Sequence, residues 1–158
     1  MDDHTRILDG LRRTWDGEPW YGPSLRTLLG GVDATVAASR PVPGAHSIWE
    51  IVRHLSWWAM AVRRRLGGQP VTAAEGEDWP AVTSRESSAW LATLDVLEQA
   101  HGAVVAHVAA MPADALTDLV PGQRITNAAM LHGLVQHTVY HAGQIALLKR
   151  AARGGAPA

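Results

Sequence analysis

The chain contains the stretch Leu134-Val-Gln-His-Thr-Val-Tyr-His-Ala-Gly-Gln-Ile145, in which His137 and His141 stand four residues apart in a largely apolar, proline-free segment. On an α-helix, positions i and i+4 lie one above the other on the same face, so two imidazoles at this spacing can bind one metal ion. The same face of the helix carries four apolar side chains: Met130, Leu134, Ile145 and Leu148. The stretch therefore predicts a helix whose histidines face the interior, as in a metal site inside a helical bundle.

Length and composition limit the class of protein. A chain of 158 residues fits one domain, and we expect residues 1–158 to form a single helical unit. Fourteen basic and fifteen acidic residues give a net charge of −1, which does not indicate a nucleic-acid or membrane partner. There is no cysteine, so a metal would have to be held by histidine and carboxylate. With no signal core and no apolar run near about 20 residues, we expect a cytoplasmic protein with a small-molecule substrate.

Apolar periodicity and capping residues predict four principal helices. They cover residues 5–16, 47–66, 84–110 and 126–152, with Thr126 or Asn127 as the last cap, and shorter helical turns are predicted at 24–29, 33–38 and 113–120. Ser47-Ile-Trp-Glu50 is a capping box. Residues 69–82 show no periodicity and are long for a bundle connection, which favours a crossover loop spanning the bundle. The fold class predicted is all-α, a four-helix bundle with a long crossover connection.

A third histidine becomes interesting beside this pair. His54 lies near the edge of the apolar stripe of the second helix, next to Trp58, where a lone histidine is ordinarily a core residue. Together with His137 and His141 it is a candidate third metal ligand. Three neutral imidazoles suit zinc or nickel and leave an open position, at which either a water or a thiol can be activated. The residues themselves do not choose between the two.

Further side chains have candidate roles around the site. Glu50 can accept a hydrogen bond from a ligand or carry a proton, although capping is favoured. Gln144 can orient a ligand or a bound water, with packing or capping a comparable alternative. His101 can serve as a fourth ligand or a base, with a structural role favoured. The candidate pocket residues, which can equally belong to the core, are Trp57, Trp58 and Tyr140.

Two groups of basic residues are assigned to the surface. Arg63 to Arg65 are expected to mark the solvated end of the second helix, where cations interact favourably with the helix dipole. The remaining histidines fall off the faces that would carry the site and are assigned to the surface or to loops: His4, His46, His107 and His132.

Two of these motifs carry a family resemblance. Ala45-His-Ser-Ile-Trp-Glu-Ile-Val-Arg-His-Leu55, together with His137-Thr-Val-Tyr-His-Ala-Gly-Gln-Ile145, resembles the DinB/YfiT-like superfamily, and the resemblance extends over nearly the whole chain. It implies a four-helix bundle with a crossover connection, often dimeric, in which three histidines hold a divalent metal. By position, the ligands it implies are His54, His137 and His141.

The resemblance also implies an activity. Characterised relatives include thiol-dependent transferases and isomerases that use bacillithiol, mycothiol or glutathione, so a low-molecular-weight thiol is an expected cosubstrate. The composition, rich in Ala, Gly and Arg, resembles that of a high-GC bacterium. We therefore expect a metal-dependent thiol S-transferase. The alternatives are a metal-dependent hydrolase and, third, a non-catalytic metal-braced dimeric binding bundle.

Overall fold

The computed structural model describes residues 1–154, which form α-helices and contain no β-strand. The helices are α1 (Asp3–Trp15), α2 (Leu25–Leu29), α3 (Ala34–Ala38), α4 (Ile48–Leu66), α5 (Ser87–Ala110) and α6 (Asn127–Ala152), with a 3₁₀ turn at Ala113–Thr117. The all-α prediction is confirmed. Residues 155–158, which the sequence assigns to the same domain, lie outside the described residues.

The four long helices pack in a closed arrangement. Helices α4 and α1 each pack against both α5 and α6. The indole rings of Trp49 and Trp90, near the starts of α4 and α5, lie 5.3 Å apart, so these two helices run parallel. A 3.0 Å contact between His132 and Asp3 likewise joins the starts of α6 and α1. The end of α4 and the start of α6 line one cavity, so these two helices are antiparallel. Helices α1 and α6 therefore run one way, and α4 and α5 run the other way.

The connection between α4 and α5 is a crossover. Because the two helices are parallel, residues 67–86 must return along the length of α4 before α5 can begin. They do so in contact with it: Arg65 donates to the Val71 carbonyl near the end of α4, and Asp78 contacts His54 near its middle. The predicted crossover is confirmed, and it passes directly over the middle of α4.

Side-chain caps fix most of the helix starts where the sequence predicts them. The Ser47 hydroxyl accepts from the Glu50 amide while the Glu50 carboxylate accepts from the Ser47 amide, which completes the capping box of α4. At the start of α6 the Thr126 hydroxyl accepts from the Ala129 amide. Helix α5 begins at Ser87, three residues later than predicted, because the Ser84 hydroxyl accepts from the Glu86 amide within an extended segment instead of capping a helix.

The apolar core consists of two clusters, one toward each end of the four long helices. One contains α2, α3, the starts of α4 and α5 and the end of α6, and the other contains α1, the ends of α4 and α5 and the start of α6. Four buried polar side chains lie in the layer between them: His54, Ser56, Thr138 and His141. Among residues 1–154, no helix combines the length and apolar character of a membrane span.

Candidate metal centre

Three histidines meet in this polar layer. Helix α4 contributes His54, and two successive turns of α6 contribute His137 and His141. His54 and His141 are each only 4% exposed, whereas His137 is more open. One ring nitrogen from each residue lies within 4.8 Å of the other two, and no further histidine or carboxylate of residues 1–154 joins the group. The antiparallel packing of α4 and α6 thus brings together His54 and His137, which are 83 residues apart in the sequence.

The nitrogens that meet are the Nε2 atoms. His137 Nε2 lies 3.0 Å from His54 Nε2 and 3.1 Å from His141 Nε2. With metal–nitrogen bonds of about 2.0–2.1 Å in a tetrahedral arrangement, ligand nitrogens stand about 3.3 Å apart. The observed spacing therefore needs only small ring adjustments to accept a divalent ion, and this donor set can hold one.

Hydrogen bonds on the far side of two rings fix their tautomers. His54 Nδ1 donates to the Asp78 carbonyl at 2.7 Å, and His141 Nδ1 donates to the Gln144 Oε1 at 2.7 Å. In a neutral imidazole the other nitrogen then carries a lone pair, so both Nε2 atoms are acceptors. His137 can supply at most one N–H between them. The centre is consequently short of donors, and a cation resolves that deficit.

The rings are held in the neutral form that a metal needs. Burial, with smaller contributions from His141 and His54, lowers the pKa of His137 to about 4. Burial also lowers the pKa of His54 and of His141, although hydrogen bonds to Asp78 and Gln144 oppose those shifts. Since metal ions compete with protons for the same lone pairs, neutral rings near pH 7 favour metal binding.

The crossover segment covers the centre with two residues that the sequence analysis did not single out. The Trp79 ring stacks on His54 at 3.9 Å and on His46 at 3.7 Å, so the indole is sandwiched between two imidazoles. Asp78 accepts from His54 through its carbonyl and from the Trp58 indole, at 3.3 Å, through its carboxylate. A signal was present, because Trp79 is the only aromatic residue in residues 69–82.

A cavity of about 450 Å³ opens beside the centre. His54, His137 and Asp78 line one part of it, and Trp58 and Arg65 contribute further wall. The remaining lining residues are mostly apolar: Val62, Ile125, Ala129, Met130, Gly133 and Leu134. A small molecule in this cavity would therefore reach two of the three histidines.

The pocket predicted from Trp57, Trp58 and Tyr140 needs correction, because the three side chains do not line one cavity, although the Trp57 and Trp58 rings pack edge-on with centroids 5.0 Å apart. Only Trp58 lines the cavity that contains His54. Trp57, about 100° further around α4, instead lines two other depressions. Tyr140 is 64% exposed and packs edge-on against His141, beside a separate cavity of about 520 Å³ that contains none of the three histidines.

The remaining candidates take different places. Gln144 orients His141, one of the two roles considered for it. Glu50 is occupied by the capping box and by an ion pair with Arg40, which places its carboxylate at the helix start and away from the centre. His101 lies outside the three-histidine group and stacks on Trp15 at 4.9 Å.

His46 lies exposed in a loop as predicted but makes an added contact, whereas the surface assignment of Arg65 is wrong. His46 packs on Trp79, so it belongs to the cover of the centre although its side chain is 46% exposed. Arg65 is partly buried in the cavity wall, whereas Arg63 and Arg64 are exposed as expected. The sequence could not reveal either contact, because both partners lie on the crossover segment.

An all-helical protein with a three-histidine centre between two antiparallel helices is the class that the fold and the site define. The sequence model of the DinB superfamily matches residues 23–145, more than three-quarters of the chain. The chain belongs to the DinB superfamily. Searches among proteins of curated function and among solved structures gave no match.

Proposed function

We propose that the chain is a metal-dependent enzyme that transfers a low-molecular-weight thiol to a small electrophile, with Zn²⁺ or Ni²⁺ held by His54, His137 and His141. The observation that carries the proposal is the convergence of three Nε2 atoms, short of hydrogen-bond donors, at the wall of a cavity. Three protein ligands with an adjoining cavity are typical of catalytic sites, whereas structural sites are closed by four ligands.

The residues around the centre have distinct parts in this scheme. A bound divalent ion supplies a Lewis acid that lowers the pKa of a thiol or water placed at its open position. Asp78 and Gln144 hold two of the imidazoles in the tautomer that presents Nε2. Trp79 covers His54 and restricts water on that side. The apolar cavity wall binds the body of the substrate.

In the transfer, the thiol first loses its proton, for which the Asp78 carboxylate in the cavity wall is the acceptor we propose. The sulfur then forms a bond to an electrophilic carbon, and the bond from that carbon to its leaving group breaks with its electron pair. With a chloroarene as the electrophile, the products are a thioether, chloride and one proton. No electron acceptor is required.

Hydrolysis is the alternative that the same centre supports, with water at the open position in place of the thiol and Asp78 receiving its proton. The specific observation in its favour is that an acidic side chain lines the cavity beside His54. A non-catalytic bundle braced by a closed site is less well supported, because no fourth ligand joins the group in residues 1–154.

Metal content tests the ligand set. The untagged protein, purified without chelator, is compared with a His54→Ala, His137→Ala, His141→Ala triple variant and with His132→Ala, which changes an α6 histidine paired with Asp3 on the surface. We expect about one ion per chain in the wild type and in His132→Ala, and none in the triple variant. Equal metal content in wild type and triple variant would refute the ligand set.

Activity is tested on the metal-loaded protein. Chlorodinitrobenzene is offered with mycothiol, bacillithiol or glutathione, and ester substrates are offered without thiol. Thioether formation that depends on the three histidines supports the transferase, and thiol-independent ester cleavage supports the hydrolase instead. Full metal occupancy with neither activity would move the assignment to the non-catalytic bundle.

A further inference from the structure

The cavity beside the centre lies along one face of α4. It begins at His54 and passes Trp58 and Val62 to reach Arg65, a span of about 16 Å measured along the helix axis. Its walls are mostly apolar and carry one acidic and one basic side chain. The acid, Asp78, stands at the histidine end, where its carboxylate lies 3.7 Å from His54 Nδ1.

The basic side chain is held in a fixed position. Arg65 donates from Nε and Nη2 to the Val71 carbonyl, at 3.1 and 2.7 Å, and its guanidinium carbon lies 5.5 Å from the centre of the Trp58 ring. The indole is held in turn by the Asp78 carboxylate. Two of the five guanidinium N–H groups are used in this way, and three remain for a ligand.

Arg65 also lacks a charge partner. No carboxylate oxygen of residues 1–154 lies within 4.0 Å of its nitrogens, and a peptide carbonyl does not neutralise a cation. Its neighbour Arg64, by contrast, is exposed to solvent. Partly burying an unpaired cation costs free energy, which an anion in the cavity would recover. Burial lowers the pKa of Arg65, in agreement with this loss of solvent.

The distance between the Arg65 guanidinium and the histidine centre can be bounded. The guanidinium carbon is 5.5 Å from the Trp58 ring, and that ring is 6.1 Å from the His137 ring. The separation of Arg65 from His137 is therefore at most the sum of these two distances, about 12 Å. A molecule with an apolar body of that length could contact both ends at once.

We infer that Arg65 determines specificity in this cavity by binding a carboxylate of the substrate, whose reactive sulfur or electrophilic group lies at the histidine centre. Only the position of the reactive group at the histidine centre rests on the proposed function. The contact between Arg65 and a carboxylate does not depend on it. A planar guanidinium with free N–H groups matches a carboxylate in shape and charge. Trp58 lies between the two ends, where its ring would contact the apolar part of the ligand.

The test uses pairs of probes that differ only in charge. Zinc-loaded protein is titrated calorimetrically with ω-mercaptoalkanoic acids of increasing length and with the matching ω-mercaptoalkanols. In the wild type we expect the acid to bind about tenfold more tightly than the alcohol at a preferred length, the effect of one charge-assisted contact. Arg65→Gln should lose this preference and leave alcohol binding unchanged.

Two variants make the result specific. Arg64→Gln removes an exposed neighbouring charge that contacts Gln69, and should keep the wild-type preference. Arg65→Lys keeps the charge without the planar fork, and should retain part of the preference; it also serves if Arg65→Gln does not fold. Equal binding of acid and alcohol in the wild type, or equal losses in Arg64→Gln and Arg65→Gln, would overturn the inference.

A second pair of probes separates this inference from the proposed function. Hexanoate and hexanol have no thiol, so they are titrated into metal-free protein. A preference for hexanoate that Arg65→Gln abolishes would support the role of Arg65 even if the protein binds no zinc. Normal zinc binding with no preference for the acid in either probe series would refute the role of Arg65 and leave the metal site intact.

Discussion

At the scale of single residues, the geometry of the centre depends on hydrogen bonds to the Nδ1 atoms of its histidines, on the side of each ring away from the Nε2 atom that would bind a metal. His141 is oriented by Gln144 and His54 by the Asp78 carbonyl, each through Nδ1. Without these bonds either ring could rotate or present the protonated nitrogen, and the Nε2 atoms would no longer converge. Such supporting bonds typically change metal affinity by one to two orders of magnitude.

The first prediction follows for Gln144. Gln144→Ala should weaken zinc affinity by about 10- to 100-fold while leaving one site per chain, because the ligands stay and only the orientation of His141 is lost. Competition titration with a chromophoric chelator measures this. Gln136→Ala is the matched control, since Gln136 is an exposed glutamine on the same helix. Equal affinities for Gln144→Ala and Gln136→Ala would contradict the role.

A second prediction concerns His101, which lies outside the centre and stacks on Trp15. Burial lowers its pKa from 6.5 to about 4, and its Nε2 is buried without a hydrogen-bond partner. The unfolded chain therefore binds the proton more readily than the folded protein. The stability contribution is complete above pH 6.5 and is lost as the pH falls toward 4, with a loss of about 2 kcal/mol at pH 5.

The variant His101→Phe keeps a ring against Trp15 and removes the titrating group. Between pH 7.5 and pH 5, metal-free His101→Phe should therefore lose about 2 kcal/mol less unfolding free energy than the metal-free wild type. Urea unfolding at the two pH values measures it, and the pH 7.5 value of each protein is its own reference. Identical losses in both proteins would show that His101 does not titrate on unfolding.

At the scale of elements, the helices were largely predictable, because their signals are local. The Ser47–Glu50 capping box and the apolar period of residues 130–148 each act within a few turns of one helix. The pair His137 and His141 could be recognised for the same reason. His54 required the additional assumption that α4 packs against α6, which the antiparallel packing satisfies.

The crossover segment was not predictable in detail. Its length showed that it must span the bundle, but no periodicity states which of its side chains point inward. Asp78, Trp79 and the contact of Val71 with Arg65 all depend on the path of this loop over α4. The sequence alone therefore predicts neither the cover of the centre nor the place of Asp78 and Arg65 in the cavity wall, and it indicates that Arg63 to Arg65 are all solvated.

The capping box itself gives a third prediction. Ser47→Ala should lower the free energy of unfolding by about 1 kcal/mol, because the Glu50 amide loses its side-chain acceptor at the start of α4. Ser24 provides a comparison, since it stands at the start of α2 and its hydroxyl contacts the Thr27 hydroxyl at 3.0 Å instead of capping a backbone amide. Ser24→Ala should cost less in the same urea titration. A larger loss for Ser24→Ala would count against the cap as the cause.

At the scale of the whole molecule, the fourth prediction is a homodimer, which the family resemblance implies. The surface carries large apolar side chains, among them Trp20, which is 97% exposed, and Leu147, which is 64% exposed. Tryptophan in particular is enriched at protein–protein interfaces relative to the rest of the surface. Sedimentation equilibrium at micromolar concentration should give twice the 17.0 kDa mass of the chain. A single species at the monomer mass would refute the dimer.

The last prediction links the centre to the stability of the entire fold. The three histidines belong to α4 and α6, which are far apart in the sequence and pack against each other in the fold. An ion that binds only the folded state therefore joins two helices that separate on unfolding. At a free zinc concentration about 100 times the dissociation constant, the gain in unfolding free energy is about 2.7 kcal/mol.

Thermal unfolding with and without zinc measures this gain. The wild type should melt several degrees higher with zinc, as expected for a gain of this size in a domain of about 150 residues. His137→Ala should show no such shift, while His132→Ala should behave as the wild type, because His132 pairs with Asp3 and does not belong to the three-histidine group. An equal shift in all three proteins would mean that zinc stabilises the fold from another position, and the three-histidine centre would then not be the site that links metal binding to folding.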